Sequence, residues 1–172
     1  MQRKSFADME CSIARSLDQM GDGWALLVVR NALLGARRFQ EFEQRLAIAP
    51  TTLTRRLEEL TRLGLLVKRT YEQRPPREEY ELTAKGNDLA PVLLALSAWG
   101  NRWLSPRGAP LEPVDAETGE PVQPIVVDCR TLKPLTSGKV ALRAGPGASR
   151  KLRRALPCPI LFGSPESSEV SP

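Results

Sequence analysis

The segment FQEFEQRLAIAPTTLTRRLEELTRLGLLVKRTYEQRPPREEYELT, which runs from Phe39 to Thr83, decides the predicted fold. Its centre begins at Pro50, which suits the first position of a helix, and ends at Gly64, which suits the left-handed conformation that stops one. Between these two residues, leucines recur at intervals of four, three and three, the period of one buried helical face. They are Leu53, Leu57, Leu60 and Leu63. A shorter helix is expected before Pro50, starting near Phe39.

Two short strands and a basic turn follow this helix. Residues 65–71 (LLVKRTY) have the β-branched and aromatic content of a strand, and residues 78–82 (EEYEL) alternate polar and apolar side chains. The turn from Glu72 to Arg77 is stiffened by two prolines and carries Arg74 and Arg77. Helix, turn, helix and hairpin in this order predict a winged helix-turn-helix.

Two cationic prongs are therefore expected side by side, one at the start of the second helix and one at the hairpin tip. Hydroxyl and backbone N–H groups bond phosphate, and arginine reads guanine in the major groove, while the hairpin follows the backbone or the minor groove. The alternative is that these charges only solvate a helix face and a sheet edge. Arg37 and Arg38 fit backbone contact and plain surface charge equally well. The predicted DNA-binding residues are Arg37, Arg38, Thr51, Thr52, Thr54, Arg55, Arg56, Arg74 and Arg77.

Composition places one folded domain before an appendage. The chain has 172 residues, 41% of them hydrophobic, and a net charge of +5, which favours a polyanionic partner. Eleven of its 15 prolines follow position 105, whereas eight of its nine aromatic residues lie at or before Trp103. We expect a winged-helix domain over 1–104, a small β-containing appendage over 105–145 and a disordered basic tail over 146–172. No internal repeat is evident.

Several functions find no support in the sequence. There is no apolar run of 18 residues and no secretory signal, so we expect a cytoplasmic protein without membrane contact. The chain has no histidine, which excludes Ser-His-Asp and Cys-His catalysis within it, and it has no glycine-rich phosphate loop. We therefore predict that the protein is not an enzyme and needs no metal or other cofactor.

Helices are also predicted on both sides of the central segment. A short amphipathic helix spans 12–20, and a strongly apolar helix from Trp24 to Leu34 is closed by Gly35. Thr83 suits the N-cap of a long helix, Ala84 to Leu104, whose apolar stripe exceeds what one small domain needs. Part of that stripe is expected to form a subunit interface, although a purely intramolecular helix is the alternative. The overall class is thus mainly α with a small β-hairpin (α+β).

An ordered set of motifs across positions 11–103 resembles the HxlR-type family of bacterial winged-helix transcriptional regulators, relatives of the MarR group. The motifs are Cys11-Ser12-Ile13-Ala14, Gly21-Asp22-Gly23-Trp24, Leu34-Gly35-Ala36-Arg37-Arg38-Phe39, Leu53-Thr54-Arg55-Arg56-Leu57, Leu63-Gly64-Leu65-Leu66, Pro75-Pro76-Arg77, Tyr80-Glu81-Leu82-Thr83, and Leu89-Ala90-Pro91-Val92-Leu93 with Trp99.

The resemblance implies a homodimeric regulator that binds a pseudo-palindromic operator through the helix at Pro50. It also implies that the first and last helices build the dimer. Two departures stand out: Ala49 replaces the usual serine N-cap of the recognition helix, and Ser12 replaces the usual proline after Cys11. The predicted interface residues are Ile13, Leu17, Leu89, Leu96, Trp99 and Trp103. The alternative is a winged-helix module that binds another protein and no longer binds DNA specifically.

Cys11 is a candidate redox sensor, because some relatives use this cysteine to sense oxidants or electrophiles. A nearby helix N-terminus and Arg15 favour the thiolate, whereas Asp8 and Glu10 oppose it. The alternative is an unreactive cysteine kept for packing. A small-molecule effector, bound near Trp24 or the later tryptophans, is also left open.

Longer members of the family carry a tail that resembles a zinc ribbon. Here Cys129 stands alone, and Thr118-Gly119 occupies the place of an expected Cys-Gly. A structural zinc site usually needs four N or S ligands. We therefore predict a degenerate ribbon-like β element over about 111–144, without metal. In the tail after it, the cluster from Arg150 to Arg154 either attracts phosphate non-specifically or is simply solvated.

Overall fold

A computed structural model describes residues 5–74 and 76–163, which fall in two compact units, Met1–Leu111 and Glu112–Pro172. The first unit contains six helices and one hairpin within these described residues. They are α1 (Ser12–Met20), α2 (Gly23–Leu33), α3 (Phe39–Leu46), α4 (Pro50–Arg62), β1 (Leu66–Gln73), β2 (Pro76–Leu82), α5 (Ala84–Asn87) and α6 (Ala90–Leu104). The mainly helical winged helix-turn-helix is confirmed.

The core of this unit lies where α2, α3, α4 and the start of β1 meet. The apolar face predicted for α4 is buried, and Phe42 of α3 packs edge-on against Tyr80 of β2 with their ring centroids 6.5 Å apart. Removing so much apolar surface from water is the main stabilising contribution. The buried apolar residues are Ala25, Val28, Val29, Ala36, Phe42, Ile48, Leu53, Leu57, Leu60, Leu65 and Leu66.

The turn between α3 and α4 is made by a residue in an unusual conformation. Ala47 ends α3 with φ 48° and ψ 39°, in the left-handed region, and its N–H donates to the Glu43 carbonyl. A residue with a Cβ pays an energetic cost there that glycine avoids. Gly64, at φ 69°, ends α4 as predicted. These two turns set the direction in which α4 enters and leaves the core.

The hairpin, or wing, is longer than the sequence predicts. The antiparallel register runs from Leu66 opposite Leu82 to Gln73 opposite Pro76, with a shift between Thr70 and Glu72. Strand pairing therefore continues into the segment expected to be turn.

The single helix predicted over Ala84–Leu104 is wrong, because the structure divides it into α5 and α6. Thr83 caps α5 as expected, its hydroxyl oxygen accepting a hydrogen bond from the Gly86 N–H at 3.1 Å. Pro91 lies in the first turn of α6. Proline lacks an N–H and its ring clashes with the carbonyl four residues earlier, so the chain tightens over Asp88 and Leu89 and starts a new helix.

The second unit contains two turns of the same construction, which correct the expectation of no internal repeat. Asp115 and Asp128 each donate a backbone N–H to the carbonyl five residues later, at 2.8 and 3.0 Å. Each carboxylate also accepts N–H bonds from the residues two and three positions later. The shared pattern is Val-Asp-x-x-Thr-x-x-Pro, in VDAETGEP (114–121) and VDCRTLKP (127–134), and the valine and proline of each segment form a β-bridge. Four of eight residues agree, so the repeat is visible in the sequence once the two segments are aligned.

The prediction of a disordered tail from 146 is wrong for the residues that the structure describes. After β3 (Ala141–Leu142) comes a short helix, α7 (Arg150–Ala155), and then β4 (Ile160–Leu161), which pairs antiparallel with β3. Ser149 caps α7 by accepting from the Leu152 N–H at 3.1 Å. Local capping and strand pairing order this segment despite its proline content. The part of the predicted tail from 164 to 172 lies outside the described residues.

Candidate nucleic-acid interface

The start of α4 presents a polar surface opposite its buried leucines. Thr51, Thr54 and Arg55 are exposed, and Thr52 is half-buried. Within the described residues Arg55 has no ion-pair partner, so its guanidinium is available to an external anion. Arg62 lies seven positions, about two helical turns, further along and is also exposed. The spacing of seven from Arg55 could have added Arg62 to the predicted contacts.

The first turn of α4 leaves a backbone donor for a phosphate. Ala49 provides no side-chain cap, and its carbonyl accepts from the N–H groups of Thr52 and Leu53. Thr51 N–H donates to no group within the described part of the chain. The Thr54 hydroxyl donates to the Pro50 carbonyl at 2.9 Å, which occupies its only hydrogen. Thr51 is therefore the better phosphate donor of the two.

Arg56 is not exposed, which corrects the prediction that it contacts DNA. It is only 8% exposed, and its guanidinium is paired with Asp22 at the start of α2 and with Glu59 one turn along α4. Asp22 also caps α2 by accepting from the Trp24 N–H at 3.1 Å. Arg56 thus anchors the recognition helix to the N-terminus of the central helix. At 100° per residue it lies at the edge of the buried face, where the carboxylates reach it.

The wing carries its cations largely in ion pairs. Lys68 pairs with Glu78 at 2.5 Å, Arg69 with Glu81 at 2.8 Å, and Arg77 with Glu72 at 3.2 Å. The hydrogen bond from Lys68 to Glu78 raises the pKa of Lys68.

At the wing tip, Arg74 is exposed and has no ion pair in the described residues. Residues 66–82 contain four cationic and four acidic side chains, so the wing is far from the strongly basic prong that was expected. Arg74 and Arg77 lie close together in the hairpin, and their contact with DNA stays a prediction.

Arg37 and Arg38 connect the wing to the start of α3. Arg37 bonds Glu81 of β2 at 2.8 Å, and the Arg38 guanidinium lies 4.7 Å from the centre of the Tyr71 ring. The Glu41 carboxylate accepts the N–H of both arginines, which holds its pKa below the ordinary value of 4.5. Both side chains remain largely exposed, so these contacts position them beside the wing. Their contact with the DNA backbone also stays a prediction.

Apolar side chains are exposed on the first and last helices of the unit. Ile13 is 63% exposed on α1, and Trp99 and Trp103 are 55% and 54% exposed on α6. Leu17, Val92 and Leu96 are also exposed. Leu89 differs, because it is partly buried against the core. Leu89 therefore contributes to the packing of the domain, and its place in the dimer interface stays a prediction.

Cys11 is exposed at the residue that precedes α1, with an extended backbone at φ −138°. Its carbonyl accepts the N–H of Arg15 at 3.0 Å, and its side chain makes no capping hydrogen bond. The position gives oxidants access to the sulfur. The packing alternative is weakened, because this side chain is not buried.

The HxlR-like helix-turn-helix family matches residues 19–108. The chain belongs to this family. It is 35% identical over 142 residues to the uncharacterised HTH-type transcriptional regulator MT3179 of Mycobacterium tuberculosis, covering 82% of this chain and 90% of that protein. Among solved structures it is similar to PA1607, a candidate transcription factor, with a TM-score of 0.74, 34% identity, and coverage of 83% and 100%. It is also similar to the candidate transcription factor PA1374 of Pseudomonas aeruginosa, with a TM-score of 0.61, 42% identity, and coverage of 85% and 100%.

Membership of this family makes the protein a DNA-binding transcriptional regulator of the helix-turn-helix type, and it is not an enzyme. The match of 142 residues exceeds the 111 residues of the first unit, so the similarity extends into the second unit. Among the described residues, no helix is both long and apolar enough to span a bilayer.

Proposed function

We propose that this regulator acts as a homodimer on a pseudo-palindromic operator. The observation that carries the dimer is the pair of tryptophans on α6, each more than half exposed, together with the exposed apolar face of α1. A large exposed apolar surface usually marks an interface, and a two-fold dimer supplies two recognition helices to a palindromic site. The opposite face at the start of α6 already packs on the core of its own domain through Leu89 and Leu93.

In this proposal α4 enters the major groove and the wing lies along the neighbouring backbone. Arg55 reads a guanine edge, and the Thr51 N–H and hydroxyl hold a phosphate at the helix N-terminus. Arg74 and Arg77 contact phosphates from the wing tip. The exposure of Arg55, beside the inward-facing Arg56, supports this orientation of the helix.

Footprinting on the intergenic DNA upstream of the protein's own gene tests the proposal. We expect a protected site with two half-sites about one helical turn apart, and an ultracentrifugation mass of two chains. Trp99→Glu with Trp103→Glu should give monomers that bind this DNA much more weakly. Arg55→Ala with Arg77→Ala should abolish specific binding while the dimer persists. A double arginine variant that binds as tightly as the wild type would contradict the assigned contacts.

The balanced charge of the wing favours a second candidate, a winged-helix module that docks another protein. In that case the chain binds all DNA weakly, and unlabelled competitor DNA removes it from the footprinted fragment. The Arg55→Ala and Arg77→Ala changes would then leave partner capture intact, whereas a wing variant such as Tyr71→Ala would reduce it.

We also propose that an oxidant acts on this regulator through Cys11, whose exposure supports the assignment. The Cys11 thiolate would attack one oxygen of a peroxide and break the O–O bond, which gives sulfenic acid and a hydroxide that takes a proton from solvent to become water. Peroxide should weaken operator binding by the wild type and by a Cys129→Ser, Cys158→Ser variant, but not by Cys11→Ser. Equal sensitivity in Cys11→Ser would exclude this role.

A further inference from the structure

The second unit separates its charges along the chain. In the part of this unit that the structure describes, residues 112–128 contain five acidic side chains and no basic one, whereas residues 129–163 contain eight basic side chains and no acidic one. The wing differs, because three of its four basic residues pair with carboxylates. An uninterrupted run of one sign raises the electrostatic energy of the folded unit, since like charges repel.

The basic charges of this segment are exposed and almost without carboxylate partners. The eight residues are Arg130, Lys133, Lys139, Arg143, Arg150, Lys151, Arg153 and Arg154, and all are exposed. In the described part of the chain, one of them reaches a carboxylate: Arg130 lies 4.0 Å from Asp128, with its side chain 85% exposed. Such a distant exposed pair neutralises little charge.

The basic residues of α7 fall into two groups in the described structure. Arg153 is hydrogen-bonded to the preceding loop, and within that part of the chain the other three make no polar side-chain contact. Arg153 donates to the carbonyls of Gly145, Pro146 and Ala148, at 3.1, 2.8 and 3.2 Å, and so fixes the loop before the helix. Leu152 is half-buried and lies on the inner side.

At 100° per residue, Arg150, Lys151 and Arg154 fall within about 100° of one another, on the side away from Leu152. We name these three residues the basic ridge. In the described residues they make no side-chain hydrogen bond or ion pair.

Within the described residues, no contact of the unit accounts for the ridge. Arg150 and Arg154 are one turn apart, where like charges destabilise a helix. Ser149 and the β3–β4 pairing hold the segment without them. A surface that is ordered, cationic and unpaired fits a partner with many closely spaced negative charges.

We propose that the basic ridge binds the phosphate backbone of duplex DNA flanking the operator. The inference rests on the proposed function, because α4 brings the chain to duplex DNA, and it assigns the second unit a role there. The ridge contacts phosphates and no bases, so it adds affinity and salt dependence without sequence preference. The order imposed by Ser149 and Arg153 reduces the entropy that a free basic tail would lose on binding.

The test compares two duplexes in anisotropy titrations at several salt concentrations. One contains only the footprinted operator core, and the other adds about 15 random base pairs on each side. The variant is R150Q/K151Q/R154Q in the full chain, and the control is R150K/K151R/R154K, which keeps the charge. Circular dichroism and ultracentrifugation confirm that fold and mass are unchanged.

The wild type and the control are expected to bind the long duplex more tightly than the core. For the neutral variant, the slope of log K against log [salt] on the long duplex should fall by about 2.7 per chain, 0.9 for each of three cations. Its discrimination between operator and scrambled core should stay at the wild-type ratio. An equal slope for wild type and neutral variant on the long duplex overturns the inference.

Failure of the proposed function gives a different result from failure of this inference. If the wild type does not discriminate operator from scrambled DNA, the specific operator is refuted. A lower slope in the neutral variant would even then support the ridge as a duplex-binding surface. If discrimination is strong and the slope does not change, the operator stands and the ridge is refuted. Protection of flanking base pairs by wild type and control, but not by the neutral variant, further supports the ridge.

Discussion

Neighbouring arginines on α4 offer a decisive test of the proposed function, because the structure leaves Arg55 exposed and buries Arg56. Arg56→Ala should lower the free energy of unfolding, whereas Arg55→Ala should leave it within about 0.5 kcal/mol and remove operator binding. The Arg56 side chain is 10% exposed, and those of Asp22 and Glu59 are 40% and 30% exposed.

The size of the Arg56 effect follows from these exposures. Removing one partner of a fully buried ion pair costs about 3–5 kcal/mol. Here both carboxylates reach water and are rehydrated when the arginine is lost. The Arg56 Nε is also buried without a partner in the described structure, and its removal relieves about 1–3 kcal/mol of desolvation. We therefore expect a net loss of about 2 kcal/mol.

Urea denaturation followed by tryptophan fluorescence measures this loss, and a thermal melt should fall by roughly 8 °C. Asp22→Asn separates the two functions of the aspartate, since the amide oxygen still caps α2 but no longer pairs as an anion. It should lose part of the stability, and the double variant Asp22→Asn with Arg56→Ala should lose less than the sum. Unfolding of Arg56→Ala at the wild-type urea concentration would refute the anchoring role of Arg56, as would weaker DNA binding with stability unchanged.

Three further predictions concern single turns and pairs. Ala47→Gly should stabilise the protein by about 0.5 kcal/mol, because relief of the left-handed strain exceeds the added entropy of the unfolded chain. The matched change Ala95→Gly, inside α6 where the backbone is helical, should destabilise it in the same urea assay. Glu72→Gln releases Arg77 from its ion pair, so the salt slope of DNA binding should steepen by about 1 per chain in anisotropy titrations. N–H bonds from the residues at 131 and 130 hold the pKa of Asp128 below its ordinary 3.8, so the stabilisation of its turn is full above that pH and is lost as pH falls through the lowered pKa. Hydrogen exchange at the 131 amide should show this loss in the wild type but not in Asp128→Asn.

Each of these has a clear contrary outcome. An Ala47→Gly protein no more stable than the wild type would mean that the turn relaxes in solution. An unchanged salt slope for Glu72→Gln would show that Arg77 does not contact phosphate. Exchange at the 131 amide that accelerates equally in acid for wild type and Asp128→Asn would assign the pH effect to other groups.

The winged helix was predictable because its signals are local. The leucine period of α4, the glycine after it and the alternation of β2 each act within a few residues, and the buried face and the capping role of Thr83 agree with the structure. Pro91 also indicates the break before α6, but the apolar stripe that continues across it led to the prediction of a single helix. The two Asp-x-x-Thr turns were missed because the residues they share are few and are separated by variable positions.

The sequence by itself determined the order of helices and wing, the apolar face of α4 and the family to which the chain belongs, because these depend on periodicity and short motifs. Only the tertiary structure decided which cations are available. Arg55 and Arg56 are adjacent and chemically identical. Only Arg56 forms an ion pair with Asp22, which is distant in sequence, and its side chain is buried there. Leu89 and Trp99 share one stripe, but only the first meets the core. A side chain's partner depends on which elements pack beside it, and that arrangement is not encoded in any single stretch.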